Sequence, residues 1–141
     1  MVKVSQAQFD TIVGHARQGF PNEICGILAG RDGQVEIVHQ ARNVAKTPRT
    51  RFAMDPHDIL NITDQIDVAG MQLVGFYHSH THTQAYPSPT DVADWPAHWY
   101  PDALCLICSL MEEERPQLRA FAIDESGRIE EATIEVVAPP G

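Results

Sequence analysis

The protein has 141 residues and a mass of 15.6 kDa, which suits one domain with a full hydrophobic core. Ten lysine and arginine residues against 19 aspartate and glutamate residues give a formal net charge of -9, and a field of that sign repels nucleic acid and anionic lipid. No stretch has the length and apolar purity of a signal peptide or a membrane span, and the three cysteines lie in apolar runs. We therefore expect a cytoplasmic protein with free thiols.

The N-terminal third of the chain predicts a helix followed by a β-hairpin. Ser5 is a suitable N-cap, and apolar residues recur at helical spacing after it, so we expect a helix over 5–18. A continuous apolar run, the Asp32-Gly33 pair and a partly alternating run come next. This order is typical of a hairpin, which we place at 23–41.

The middle of the chain predicts a short strand, a helix and a buried strand. Residues 50–54 fit the strand, and Asp55 followed by proline is a strong start for a helix that ends at Gly70. The segment 71–80 is apolar and then turns abruptly polar. A buried strand has this pattern where it leaves a sheet.

The C-terminal part predicts a short helix, one buried strand and a last hairpin. Thr90 is the expected cap of a helix over 90–97. Residues 103–110 are continuously apolar enough for a buried strand, and a Ser-Gly turn divides 118–137 into the two strands of a hairpin.

Together the elements run α, β, β, α, β, α, β, β, and this order predicts a single α/β domain. The expected architecture is one mixed sheet with helices packed on it. We assign the domain to residues 1–137 and expect 138–141 to form a frayed tail.

A candidate metal site lies where segment 71–80 turns polar. His78 and His80 are two residues apart on a strand, so both imidazoles project from one face with Cα atoms about 6–7 Å apart. Their ring nitrogens can then converge on one ion, and the following loop can present Asp91 as a third ligand. Two imidazoles and one carboxylate leave the fourth position of a tetrahedral zinc ion to water, which is typical of a catalytic site.

The remaining histidines are weaker candidates for metal binding. His82 forms a second H-x-H pair with His80, but it lies farther out in the loop, so we expect it to face solvent or substrate. Isolated histidines are more often surface or hydrogen-bonded residues than ligands, and we assign no role to the four of this kind, His15, His39, His57 and His98.

The pattern His-x-His-x7-Ser-x2-Asp, preceded by an isolated Glu23 at the head of an apolar strand, resembles the JAMM or MPN-plus motif of zinc peptidases and isopeptidases. The segments NEICGILAG, RFAMDP and AYPSPTD resemble its short bacterial branch, in particular peptidases that remove cysteine from a ubiquitin-like sulfur-carrier protein in cysteine biosynthesis. The resemblance implies one zinc ion per chain, held by His78, His80 and Asp91. It further implies that Glu23 is the acid/base and Ser88 the oxyanion donor.

The same resemblance implies a JAMM/MPN fold with a curved mixed sheet, and as substrate a ubiquitin-like carrier ending in Gly-Gly. Hydrolysis would release cysteine from a Gly-Gly-Cys adduct. Two alternatives stay open, namely an isopeptidase that removes ubiquitin-like modifiers from lysine and a non-catalytic MPN scaffold. The complete motif disfavours the scaffold, and 141 residues leave little room for insertions that grip a second modifier.

Two further points follow from the resemblance. Thr81 stands after the second histidine, where eukaryotic deubiquitinating relatives usually have proline. The resemblance therefore does not determine whether the loop after His80 is rigid. A homodimer also stays open, and we expect neither nucleic acid nor a membrane as a partner.

Overall fold

The computed structural model describes residues 1–137, which form eight strands and three helices. Their bounds in chain order are β1 (Val2–Ser5), α1 (Gln6–Gly19), β2 (Cys25–Arg31), β3 (Gln34–Ala41), α2 (Pro56–Val68), β4 (Gln72–His80), α3 (Pro89–Ala93), β5 (Leu104–Ser109), β6 (Gln117–Ile123), β7 (Ile129–Ala132) and β8 (Ile134–Val137). The predicted tail at 138–141 lies outside the described residues. Within 1–137, no helix combines the length and the apolar character that crossing a membrane requires.

The strands form one mixed sheet, as the sequence predicts, in the order β7-β6-β5-β4-β2-β3-β1-β8. β2 is antiparallel to both β3 and β4, while β4 is parallel to β5. Neighbouring residues on a strand point to opposite faces, so Leu28 packs in the core beneath α1 and Ile27 in the core beneath α2. The predicted arrangement of helices flanking a sheet is confirmed.

The predicted starts of the first two helices and the first turn are also confirmed. The Ser5 hydroxyl accepts from the Gln8 amide at 3.1 Å, and the Gln8 side chain accepts from the Ser5 amide at 2.9 Å. Asp55 caps α2 by accepting from the amide of the second helical residue at 2.8 Å. Asp32 and Gly33 both have positive φ, of 53° and 77°, as a tight hairpin turn requires.

The prediction of a last hairpin over 118–137 is wrong in its second half. β6 and β7 do form a hairpin, but the chain then leaves it, and β8 pairs in parallel with β1 at the far edge of the sheet. β1 itself was not predicted, because four residues are too few to show a period. Which strands β1 and β8 pair with depends on how the whole sheet closes. The residues of these two short strands therefore do not predict their pairing.

Two shorter predictions also need correction. Residues 50–54 form no strand, and one isolated bridge joins Met54 to Asn43 there. α3 is capped by Ser88 rather than Thr90, and it ends at Ala93 rather than continuing over 90–97. Ser88 takes the cap because its hydroxyl accepts from the amide three residues later, which places Thr90 inside the first turn.

Candidate metal centre

The ends of β4 and α3 bring the three predicted ligands together. The Nε2 atoms of His78 and His80 lie 3.2 Å apart. Asp91 Oδ2 lies 3.1 Å from His78 Nε2 and 3.0 Å from His80 Nε2. These side chains are no more than 9% exposed, so the cluster is buried as well as compact.

Contacts behind the cluster orient the two imidazoles. His80 Nδ1 donates to the carbonyl oxygen of Gln84 at 2.8 Å, which directs Nε2 towards the cluster. The ring of His78 stacks on Phe52, with the ring centroids 4.4 Å apart and the planes 23° from parallel. Partners of this kind fix the ring orientation of histidine ligands in metal sites.

The protonation states in the cluster favour the binding of a cation. Burial favours the neutral ring and lowers the pKa of His78. Burial opposes protonation of His80 too, but the Asp91 carboxylate and the Gln84 carbonyl outweigh it and raise the pKa of His80. Burial would also raise the pKa of Asp91, yet hydrogen bonds from both histidines hold it below its usual range. Two imidazole nitrogens and an ionised carboxylate converging on one point therefore fit a zinc ion.

Asp91 is held by the first turn of α3. Its Oδ2 accepts from the Ser88 amide at 2.9 Å, and its own amide donates to the Ser88 hydroxyl oxygen at 3.1 Å. This reciprocal capping box fixes the carboxylate against the two histidines. The Ser88 hydroxyl accepts in this contact, so its proton remains available for donation at the edge of the cluster.

Glu23 is buried immediately before β2, and its backbone is held on both sides. The Glu23 amide donates to the Pro48 carbonyl at 2.7 Å, while its carbonyl accepts from the Asn43 side chain at 2.9 Å. The next residue, Ile24, donates its amide to the Ser79 hydroxyl at 2.9 Å. Since Ser79 lies between the two histidines, this bond ties Glu23 to the strand that carries them.

The environment of Glu23 suits an acid/base. Burial raises its pKa to about 7, the charge of His80 opposes this rise, and that of Asp91 adds to it. A carboxyl group with a pKa near neutrality can both take up and release a proton under physiological conditions.

Four residues of this centre were missed by the sequence analysis, namely Asn43, Phe52, Ser79 and Gln84. Phe52 lies within RFAMDP, a segment that carried the family resemblance without indicating contact with His78. Ser79 stands between two predicted ligands, but a serine there has no special pattern. Asn43 and Gln84 act on the site through hydrogen bonds across loops, for which the sequence holds no signal.

The two residues after the predicted ligand pair lie outside the cluster. His82 is exposed, and its ring centroid is 5.5 Å from that of Phe20. Thr81 is buried, with its hydroxyl oxygen 3.0 Å from His82 Nδ1. The structure therefore brings His78, His80 and Asp91 together and leaves His82 apart from them.

A cleft of about 380 Å³ leads to the cluster. It runs between segment 50–54 and α3, and its wall includes Asp91. Apolar side chains make up much of the lining, chiefly Phe52, Phe76 and Trp95. The cleft gives an extended chain a path to the candidate metal site.

Comparison with known proteins identifies the family. The family described as prokaryotic homologs of the JAB domain matches residues 5–124. The chain belongs to the JAMM/MPN family. The chain also has the same fold as the solution structure of a protein from Desulfitobacterium hafniense, with a TM-score of 0.86 at 33% identity over 99% of this chain and 94% of that one.

Several relatives within the JAMM/MPN family bear names that describe their activities. The chain is 42% identical to the desampylase of Haloferax volcanii over 71% of this chain and 74% of that protein. It is 35% identical to the CysO-cysteine peptidase of Mycobacterium tuberculosis over 91% of this chain and 86% of that protein.

Proposed function

We propose that the protein is a zinc peptidase that cleaves the amide bond at the C-terminus of a ubiquitin-like sulfur-carrier protein in the cytoplasm. The observation that carries the proposal is the convergence of two imidazole nitrogens and one carboxylate oxygen within 3.2 Å of one another. The buried Glu23 is tied to the same strand end through Ser79. A non-catalytic scaffold has no need of such an arrangement.

In this proposal His78, His80 and Asp91 hold the metal, and Glu23 moves the proton. A zinc ion bound there would supply Lewis acidity and lower the pKa of a bound water from 15.7 to about 7. The Glu23 carboxylate takes the proton from the attacking water and then delivers it to the departing amine. A single carboxyl group can do both because its pKa lies near neutrality.

Ser88 is assigned to the carbonyl oxygen of the scissile bond. Its hydroxyl proton is free to donate to that oxygen as negative charge develops. We expect Ser88→Ala to lower kcat by about 10²- to 10³-fold while zinc content, measured by elemental analysis, stays near that of the wild type. Loss of zinc would show instead that Ser88 acts only as the cap that positions Asp91.

Release of cysteine from a Gly-Gly-Cys adduct is the favoured reaction. The relative named as a CysO-cysteine peptidase matches 91% of this chain. The cleft beside Asp91 is lined by the bulky side chains of Phe52 and Trp95, and a Gly-Gly tail suits it because glycine has no Cβ to clash with them. The alternative, removal of a ubiquitin-like modifier from lysine, is supported by the higher identity to a desampylase.

The two reactions can be compared directly with two substrates of one carrier. The first is the ubiquitin-like sulfur carrier of the same organism with a C-terminal cysteine after Gly-Gly, and the second is that carrier linked to a lysine side chain. We expect mass spectrometry of both digests to show faster loss of cysteine. Faster cleavage of the lysine-linked conjugate would favour the isopeptidase, and cleavage of neither would reject the proposed function.

A further inference from the structure

The positive charge of the protein is concentrated next to the candidate site. Residues 42–51, called the basic loop below, contain four of the ten lysine and arginine residues of the chain. No aspartate or glutamate occurs between Glu36 and Asp55. A positive segment of this kind stands out in a protein with a net charge of -9, because acidic residues dominate the remainder.

Two of the four cations have partners, and two are free. Arg42 forms ion pairs with Asp55 at 3.0 Å and Asp58 at 3.1 Å. Arg51 lies 3.7 Å from Asp94. Lys46 and Arg49 are exposed, and neither has an ion-pair partner among residues 1–137. The tip therefore carries unneutralised positive charge.

The position of this charge relative to Glu23 is set by hydrogen bonds. Pro48, which lies between the two free cations, accepts from the Glu23 amide at 2.7 Å. Asn43 donates to the carbonyls of both Glu23 and Arg51, at 2.9 and 3.0 Å. A partner protein bound at the tip of the basic loop would therefore have a fixed position relative to Glu23.

The basic loop also borders the apolar cleft. Its last two residues, Thr50 and Arg51, line the cleft wall. Arg51 in this wall is paired with Asp94, so the unpaired charge of the loop lies at Lys46 and Arg49, beside a cleft of apolar side chains and Asp91. Arg49 adjoins Thr50 in the chain and Lys46 lies four residues before it, so a protein whose tail enters the cleft would approach both cations.

We propose that the basic loop is a docking surface for an acidic face on the folded body of the carrier, next to its tail. This inference rests on the proposed function. Opposite charges would steer the carrier to the entrance and set its orientation, which raises the rate of productive encounter. The rest of the enzyme is acidic and would repel the acidic face of the carrier. The charge pattern therefore favours the orientation in which this face meets the basic loop.

The test compares two double charge reversals that change the net charge equally. Lys46→Glu with Arg49→Glu alters the tip of the basic loop, and Lys3→Glu with Arg128→Glu alters cations in β1 and in the β6–β7 turn. Each enzyme is given the intact carrier ending in Gly-Gly-Cys and a short peptide of the tail alone. Both substrates are assayed at low and at high ionic strength.

We expect the variant of the loop tip to lose about tenfold or more in kcat/KM on the intact carrier at low salt. The loss should shrink at high salt, since ions screen exposed charges, and it should be absent on the peptide. The control variant should behave like the wild type on both substrates. Changing acidic residues of the carrier near its tail to lysine should restore activity to the Lys46→Glu, Arg49→Glu enzyme.

Three results would overturn the inference. Equal losses in both double variants would point to net charge rather than to the loop, and an equal loss on the peptide would point to damage within the site. Binding of a short RNA that only the loop variant loses, with no loss on the carrier, would assign the loop to nucleic acid. Failure of the wild type on both substrates would instead reject the proposed function itself.

Discussion

His80 shows how single atoms define the candidate centre. One of its ring nitrogens donates to Gln84, and the other faces His78 and Asp91 at 3.2 and 3.0 Å. A proton can satisfy only one of these contacts at a time, whereas a divalent cation can satisfy all three donor atoms together. The geometry therefore favours metal over a network of hydrogen bonds alone.

We predict that His80→Ala loses both zinc and activity, because two remaining protein ligands are fewer than the three that hold a catalytic zinc ion. The matched control is His82→Ala, which removes an exposed imidazole two residues away. It should retain near-normal zinc by elemental analysis. Full zinc in His80→Ala would contradict the ligand assignment.

A second prediction at this scale separates chemistry from metal binding. Glu23→Gln keeps the shape of the side chain but cannot accept the proton of water, so we expect zinc to remain and turnover to be lost. Glu112→Gln changes an exposed carboxylate in the same way and should be neutral. Zinc content and kcat, measured on the same samples, test this assignment. Loss of metal or near-normal turnover in Glu23→Gln would refute the role of Glu23 as the base.

The segment between β3 and α2 is ordered by one side chain rather than by strand pairing. The Asn43 amide group donates to the carbonyls of Glu23 and Arg51 and accepts from the amides of Ala45 and Ala53, all at 2.9–3.0 Å. These bonds replace the backbone partners that a strand over 50–54 would have had. Asn43 is thus a positioning residue that links the acid/base to the wall of the cleft.

We predict that Asn43→Ala lowers the free energy of unfolding by about 1–3 kcal/mol, because the partly buried backbone groups of Glu23 and Ala45 lose their partner. kcat should fall more than KM changes, since the Glu23 carbonyl loses its partner and the Pro48 contact alone holds the residue on that side, while zinc stays bound. Asn43→Asp keeps the two accepting contacts and should fall between Ala and the wild type. Urea unfolding and steady-state kinetics give both quantities, and an Asn43→Ala enzyme that loses stability with unchanged kcat would show a purely structural role.

At the scale of the whole molecule, the sheet is completed by the two ends of the described chain. β8 pairs with β1 over four residues, from Val2 with Ile134 to Ser5 with Val137. The candidate metal centre lies on β4, which is separated from β1 by β2 and β3. The pairing of β8 with β1 and the assembly of the candidate metal centre therefore take place in different parts of the same sheet.

We predict that removal of residues 134–141 destabilises the protein by about 0.5–1.5 kcal/mol for each hydrogen bond lost from β1. Zinc per folded chain should be unchanged, because the ligands lie on β4 and α3, and two strands separate β4 from β1 in the sheet. Removal of 138–141 alone leaves β8 intact, and this control should have no effect. Equal unfolding midpoints in urea for the two truncations would show that β8 contributes nothing.

Features with a short range in sequence could be predicted from the sequence alone. Caps at Ser5 and Asp55, the Asp32-Gly33 turn and the buried strand that ends in His78 and His80 all depend on neighbouring residues, whose backbone preferences and spacing are local. The mixed sheet followed from the order of these elements. The pairing of two histidines on one strand face likewise needs only the period of a strand.

Contacts that join distant segments were decided by the tertiary structure. From its own neighbours Glu23 resembles a surface carboxylate. Only the bond from the next residue, Ile24, to Ser79 and the contact with Asn43 hold it in a buried position. The pairing of β8 with β1 depends in the same way on closure of the sheet. Such contacts reflect burial and hydrogen bonding between residues far apart in the chain, where many partners are compatible with the same local pattern and the packed core selects one.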